Sequence, residues 1–71
     1  MNEEVNNLFI AANDNYNNKK FAEATELYKQ VLELVPDNVV VWHNYALSLI
    51  SQDRFQEGID ALSRPIEAGY S

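Results

Sequence analysis

FAEATELYKQVLELVPDN, residues Phe21 to Asn38, decides the fold. Ala24, Leu27, Tyr28, Val31, Leu32, Leu34 and Val35 recur at the three- and four-residue steps of one helix face. Glu23, Glu26, Lys29, Gln30 and Glu33 fill the gaps and are expected to face water. Pro36 stops the helix, because it has no N–H to donate and biases Val35 away from helical geometry. Asp37 and Asn38 then offer a side-chain cap to the next helix.

Reading outward from this stretch gives three more helices. Toward the N-terminus, Asn2 can cap a helix from Glu3 to about Asn17, whose first carboxylates suit the positive end of the helix dipole. Val5, Leu8, Phe9, Ala11, Ala12 and Tyr16 form its apolar face. Asn18-Lys19-Lys20 makes the turn, with Asn18 expected in a left-handed conformation, and the second helix runs from about Lys20 to Val35. Toward the C-terminus, Asn38 caps a third helix from about Val39 to Ser51, with Trp42, Tyr45, Ala46, Leu49 and Ile50 turned inward. Val39-Val40-Val41 could start a strand on propensity alone, but the cap and the helical period favour helix.

After the turn Gln52-Asp53-Arg54, a fourth helix runs from Phe55 to about Ala68, with Phe55, Ile59, Leu62 and Ile66 on one face and Gly69 past its end. Pro65 lies beyond its first turn and Gly58 weakens it, so kinking or fraying is expected after about Ser63.

Composition narrows the function. The 71 residues make one small domain, and a 46% hydrophobic fraction is that of a globular chain. With no cysteine there is no disulfide framework, redox pair or thiolate metal site. A net charge of −6, with Lys19-Lys20 the only basic pair, argues against nucleic acid and against an anionic membrane surface. No apolar run spans a bilayer, and the acidic start is unlike a signal peptide; a soluble protein is expected, with the cytoplasm favoured.

Sliding the chain on itself by 34 residues pairs Leu8 with Trp42, Ala12 with Ala46, Phe21 with Phe55 and Glu23 with Glu57. It also pairs Ala24 with Gly58, Tyr28 with Leu62 and Leu32 with Ile66, so large meets large and small meets small. With this period, a two-helix unit and the motif FAEA at Phe21–Ala24 echoed by FQEG at Phe55–Gly58, the chain resembles the tetratricopeptide repeat family. The first-helix pattern is met by Trp42, Tyr45, Ala46 and Leu49 in the second copy and by Leu8, Ala11, Ala12 and Asn15 in the first, followed there by Ala24, Tyr28 and Pro36. Pro65 and Tyr70 depart from the pattern. The resemblance implies an all-α fold: two stacked helix-turn-helix hairpins in a short right-handed solenoid. Repeat one would cover about 5–38 and repeat two about 39–71 of a single domain.

No catalytic arrangement stands out. His43 is the only histidine, and its helical neighbours Val39, Val40, Ala46 and Leu47 offer no metal ligand or acid. Gly58 and Gly69 are isolated, so no phosphate loop forms, and no cofactor is expected. A four-helix enzyme or metal-binding bundle is the alternative reading.

The resemblance implies instead a protein-interaction scaffold that is not an enzyme, holding a peptide or helix in a groove lined by the first helix of each unit. Once the packing positions are set aside, Phe9, Asn13, Tyr16, Val40, His43, Asn44, Leu47 and Ile50 remain for that groove. Asn13 and Asn44 can both donate to and accept from a peptide backbone. A subgroup of the family grips a terminal carboxylate, but Phe9 stands where its groove lysine would be, so an apolar segment or helix is expected. Repeat arrays need about three units or a cap to cover their ends. Two units leave Leu47, Ile50, Leu62 and Ile66 exposed, so a homodimer or larger homo-oligomer is expected, with Leu62 and Ile66 at the contact. Face-to-face packing is favoured over hairpin exchange, because Pro36 resists straightening of the second and third helices into one.

Overall fold

Four helices succeed one another: α1 (Glu3–Asn17), α2 (Phe21–Leu34), α3 (Val39–Ile50) and α4 (Phe55–Glu67). The structure is a computed structural model that describes the backbone of residues 3–67 and the side chains of residues 3–64. The Asn2 cap and the roles given to Gly69 and Tyr70 lie outside the described residues, as does the side chain of Ile66. Helix α2 packs against both α1 and α3, and α4 packs against α3, so each element is stacked on the one before it.

The core is built from the helix faces. Val5 and Ala12 of α1, Ala24, Tyr28, Val31 and Leu32 of α2 and Val41 of α3 form its larger part. Ala46 and Leu49 with Ala61 form the smaller part, and Trp42 and Tyr45 pack against both. Small residues set the helix separations. Ala12, Ala24 and Ala46 are fully buried, and a Cβ placed on Gly58 would stand 2.7 Å from Ile50 Cγ1.

The helix ends repeat as faithfully as the faces. After α1, the Lys20 amide donates to the Asn15 carbonyl and the Lys19 amide to the Tyr16 carbonyl, while Lys19 takes φ 63°. After α3, Arg54 donates to Leu49 and Asp53 to Ile50, with Asp53 at φ 62°. Each is a Schellman motif with a left-handed residue just past the helix. Lys19 and Asp53 are 34 residues apart, so the period reaches the backbone. The left-handed position expected at Asn18 is therefore one residue later, because Asn18 still closes the last turn through its bond to Asp14. Asn38 caps α3 as expected, its Oδ1 accepting from the Val41 amide at 3.2 Å. Trp42 Nε1 donates to the Pro36 carbonyl at 2.7 Å, which ties the inter-repeat turn to α3.

Other expectations are corrected. Leu34 is exposed and Thr25 is buried: α2 turns a hydroxyl, not a leucine, toward α3. The cause is a polar clip. Thr25 shares its hydroxyl proton between the Phe21 carbonyl and Ser48 Oγ, both at 2.8 Å, and Ser48 donates to the Tyr45 carbonyl at 2.6 Å. Gln52 Nε2 donates to Thr25 Oγ1 at 2.7 Å and to the Ser48 carbonyl at 2.9 Å. Each hydroxyl is thus satisfied, which removes the penalty of burying it. Helix α4 does not fray after Ser63 but continues through Pro65 to Glu67. Pro65 falls in the last turn, where forgoing one bond disrupts little of the helix.

Candidate peptide-binding cleft

Helices α1 and α3 both pack against α2, and residues of all three line a cleft of about 280 Å³. Its walls are Asn13, Tyr16 and Asn17 from α1 and Asn44 and Leu47 from α3, and Tyr28 of α2 lines it between them. The helical period places the α1 residues: Asn13 and Asn17 are four apart and share a face with Tyr16. Asn44 and Leu47 are three apart on α3.

Of the eight residues expected to form the groove, the structure brings Asn13, Tyr16, Asn44 and Leu47 together around this cleft. Phe9 lies one turn away, its ring 6.1 Å from that of Tyr28. Val40 and His43 are exposed on α3 and do not line the cleft, and Ile50 packs over Gly58 at the α3–α4 contact. Tyr28 and Asn17 were not expected. The spacing of Asn17 from Asn13 was the available signal for one; Tyr28 gives none, because its period marks it as core.

Tyr28 serves both roles. Its ring is 1% exposed, and its hydroxyl donates to Asn13 Oδ1 at 2.5 Å. Burial, with a smaller contribution from neighbouring Tyr16, pushes the phenol from 10.0 up to about 12, so it stays protonated as a donor. With Asn13 Oδ1 engaged, the Asn13 amide nitrogen keeps its capacity to donate. Every lining side chain is uncharged. The arrangement suits a backbone carbonyl at Asn13, either polarity at Asn44, and an apolar side chain against Leu47.

A larger cavity of about 510 Å³ lies between α2 and α4. Lys29, Arg54 and Arg64 line it beside Glu33, Glu57 and Asp60, so its charges offset one another. Arg54 and Glu57 already form an exposed ion pair, a contact worth little by itself. Among the described residues, no group of His, Asp and Glu is placed to hold a metal ion. No helix of the described residues is long and apolar enough to cross a membrane.

No curated protein and no solved structure matches the chain. A family model does, that of the anaphase-promoting complex, cyclosome, subunit 3, over residues 1–65. Its repeats are of the tetratricopeptide type, in keeping with the four stacked helices. Such repeats generally act as non-catalytic scaffolds that bind protein partners. With nearly the whole chain matched, this protein belongs to the family of the anaphase-promoting complex, cyclosome, subunit 3, a family of tetratricopeptide-type repeats.

Proposed function

We propose that this chain is a protein-interaction module that takes an apolar peptide or helix across the cleft between α1 and α3, and that it self-associates through α4. The observation that carries the first part is the meeting of Asn13, Asn44 and Leu47 around one uncharged cleft. Two amides at its walls bind main chain without demanding a sequence, and Leu47 favours an apolar residue. The cleft holds one large side chain rather than a whole ligand, so the rest of a partner would lie along the exposed faces of α1 and α3. Val40 and His43 on α3 are open to such a partner. The family takes its name from a subunit of a complex, which accords with binding rather than catalysis.

The experiment is selection of displayed peptides on the folded chain, followed by rebinding to Leu47→Glu and Asn44→Ala. Both positions are only half-buried, so the variants should keep their helicity. Selected peptides should share an apolar residue and lose at least tenfold in affinity on either variant. Unchanged binding to both would remove the cleft from consideration.

The second part rests on α4. Phe55, Ile59 and Leu62 are 55%, 54% and 38% exposed on one helix face, an apolar stripe that water leaves unfavourably hydrated.

A further inference from the structure

Of the five lysines and arginines in this acidic chain, Lys29, Arg54 and Arg64 all line the cavity of about 510 Å³ between α2 and α4. The repeat does not call for this: thirty-four residues from Lys29 stands Ser63, and from Arg64 stands Gln30. The charged residues of the cavity are all exposed, whereas Leu32 and Ala61 are buried and Trp42 and Tyr45 half-buried. The cavity therefore has an apolar and aromatic floor under a charged rim.

The rim charges are not equally free. Arg54 Nε donates to Glu57 at 2.6 Å, and Asp60 accepts from Gln56 Nε2 at 3.2 Å. Among the described residues, the side chains of Lys29, Glu33 and Arg64 make no hydrogen bond or ion pair. Two of these three are cations, one on α2 and one on α4. Tyr45 adds a neutral donor: its hydroxyl has no hydrogen bond among the described residues and is not buried. Trp42 donates its N–H to the Pro36 carbonyl, which fixes the ring and leaves only ring surface for a ligand.

The unused capacity is thus mostly donor, above two aromatic rings that meet edge-on at 5.9 Å. A carboxylate is drawn to such cations, and a neighbouring aromatic side chain packs well against such rings. Glu33 and the net charge of −6 favour a single carboxylate over a phosphate. An exposed, charged rim around an apolar centre is the anatomy of a protein interface rather than of an enclosed small-molecule site.

We propose that the α2–α4 cavity binds a segment of a protein partner that carries an acidic side chain next to an aromatic one, the acid toward Lys29 and Arg64 and the ring against Trp42 and Tyr45. This site shares no lining residue with the cleft of Asn13, Asn44 and Leu47, so one partner can occupy each.

Trp42 is the only tryptophan, so its fluorescence reports on this cavity. Two displayed peptide libraries test the site, one built on a fixed Glu-Phe pair and one on Lys-Phe, both without tryptophan. The Glu-Phe library should yield peptides that, made as synthetic amides, change the Trp42 emission. They should bind the native chain and Leu47→Glu alike, which separates them from ligands of the cleft. Lys29→Gln and Arg64→Gln, both at exposed positions, should each weaken them by about fivefold with helicity unchanged. Glu33→Gln should not weaken them. No binder from the Glu-Phe library, binders that leave Trp42 unchanged, binding indifferent to both cation variants, or a preference for Lys-Phe would each overturn the proposal. None of these results bears on the cleft, whose own ligands answer to Leu47→Glu.

Discussion

Tyr28 Oη and Asn13 Oδ1 lie 2.5 Å apart, so a core tyrosine of α2 fixes the orientation of an amide on α1. The core and the candidate site are thereby one structure. Removing the hydroxyl in Tyr28→Phe leaves the ring packing in place and deletes the bond. The expected cost is about 1 kcal/mol, a drop of about 4–8 °C in Tm for a domain of this size. Peptides selected on the native cleft should also bind more weakly to this variant, because Asn13 is no longer held. Thermal melts and peptide titration on the same protein check both parts.

The same phenol predicts an alkaline limit to stability. Its folded value of about 12 stands above the ordinary 10.0, so the folded state keeps a proton that the unfolded state releases. The resulting stabilisation is complete below about pH 10 and is lost as the pH rises toward 12. Urea unfolding at a series of pH values should show the fall in the native chain and a shallower one in Tyr28→Phe. Parallel curves for the two proteins would assign it to other groups.

Gly58→Ala tests the close approach of α3 and α4. Alanine is the better helix former by up to about 1 kcal/mol. Its methyl would nevertheless stand 2.7 Å from Ile50 Cγ1 and 3.3 Å from the Ala46 carbonyl, so packing must shift. Overpacking of this kind costs about 1–3 kcal/mol, and the net expectation is a loss of about 1–2 kcal/mol. A gain in Tm would show that the two helices can separate freely.

Lys19→Gly and Asp53→Gly should both stabilise. Each residue holds φ near 60° just past a helix, where a side chain costs about 1–2 kcal/mol and glycine avoids that strain. The extra freedom of glycine in the unfolded chain returns part of that, about 0.5–1 kcal/mol. A net gain of about 0.5–1 kcal/mol is expected from each substitution. The two sites share no hydrogen bond, so the gains should add in the double variant when measured by denaturant midpoint.

Much of the candidate site was legible because a helix converts spacing into direction. Asn13 and Tyr16, and Asn44 and Leu47, are three apart, and a family resemblance assigns their helices to a groove. The resemblance could not say how far along the groove a cavity forms. That depends on where Tyr28 stands between α1 and α3, and its burial made it look like core alone. Ile50 was drawn away by Gly58, whose missing side chain opens a place for it on the other side of α3.

By itself the sequence determined the four helix spans within a residue or two at each end, the break at Pro36, the Asn38 cap and the 34-residue period. These are local properties, decided by backbone geometry and by hydrogen bonds that reach no more than a few residues. Tertiary structure alone decided that Thr25 is buried and Leu34 exposed, since a hydroxyl is welcome inside only where Ser48 and Gln52 arrive to meet it. It also decided which side of α4 faces inward. Gly58 and Ala61 lie against α3, while the larger Phe55, Ile59 and Leu62 are left outside, because two helices that approach closely have room between them only for small side chains.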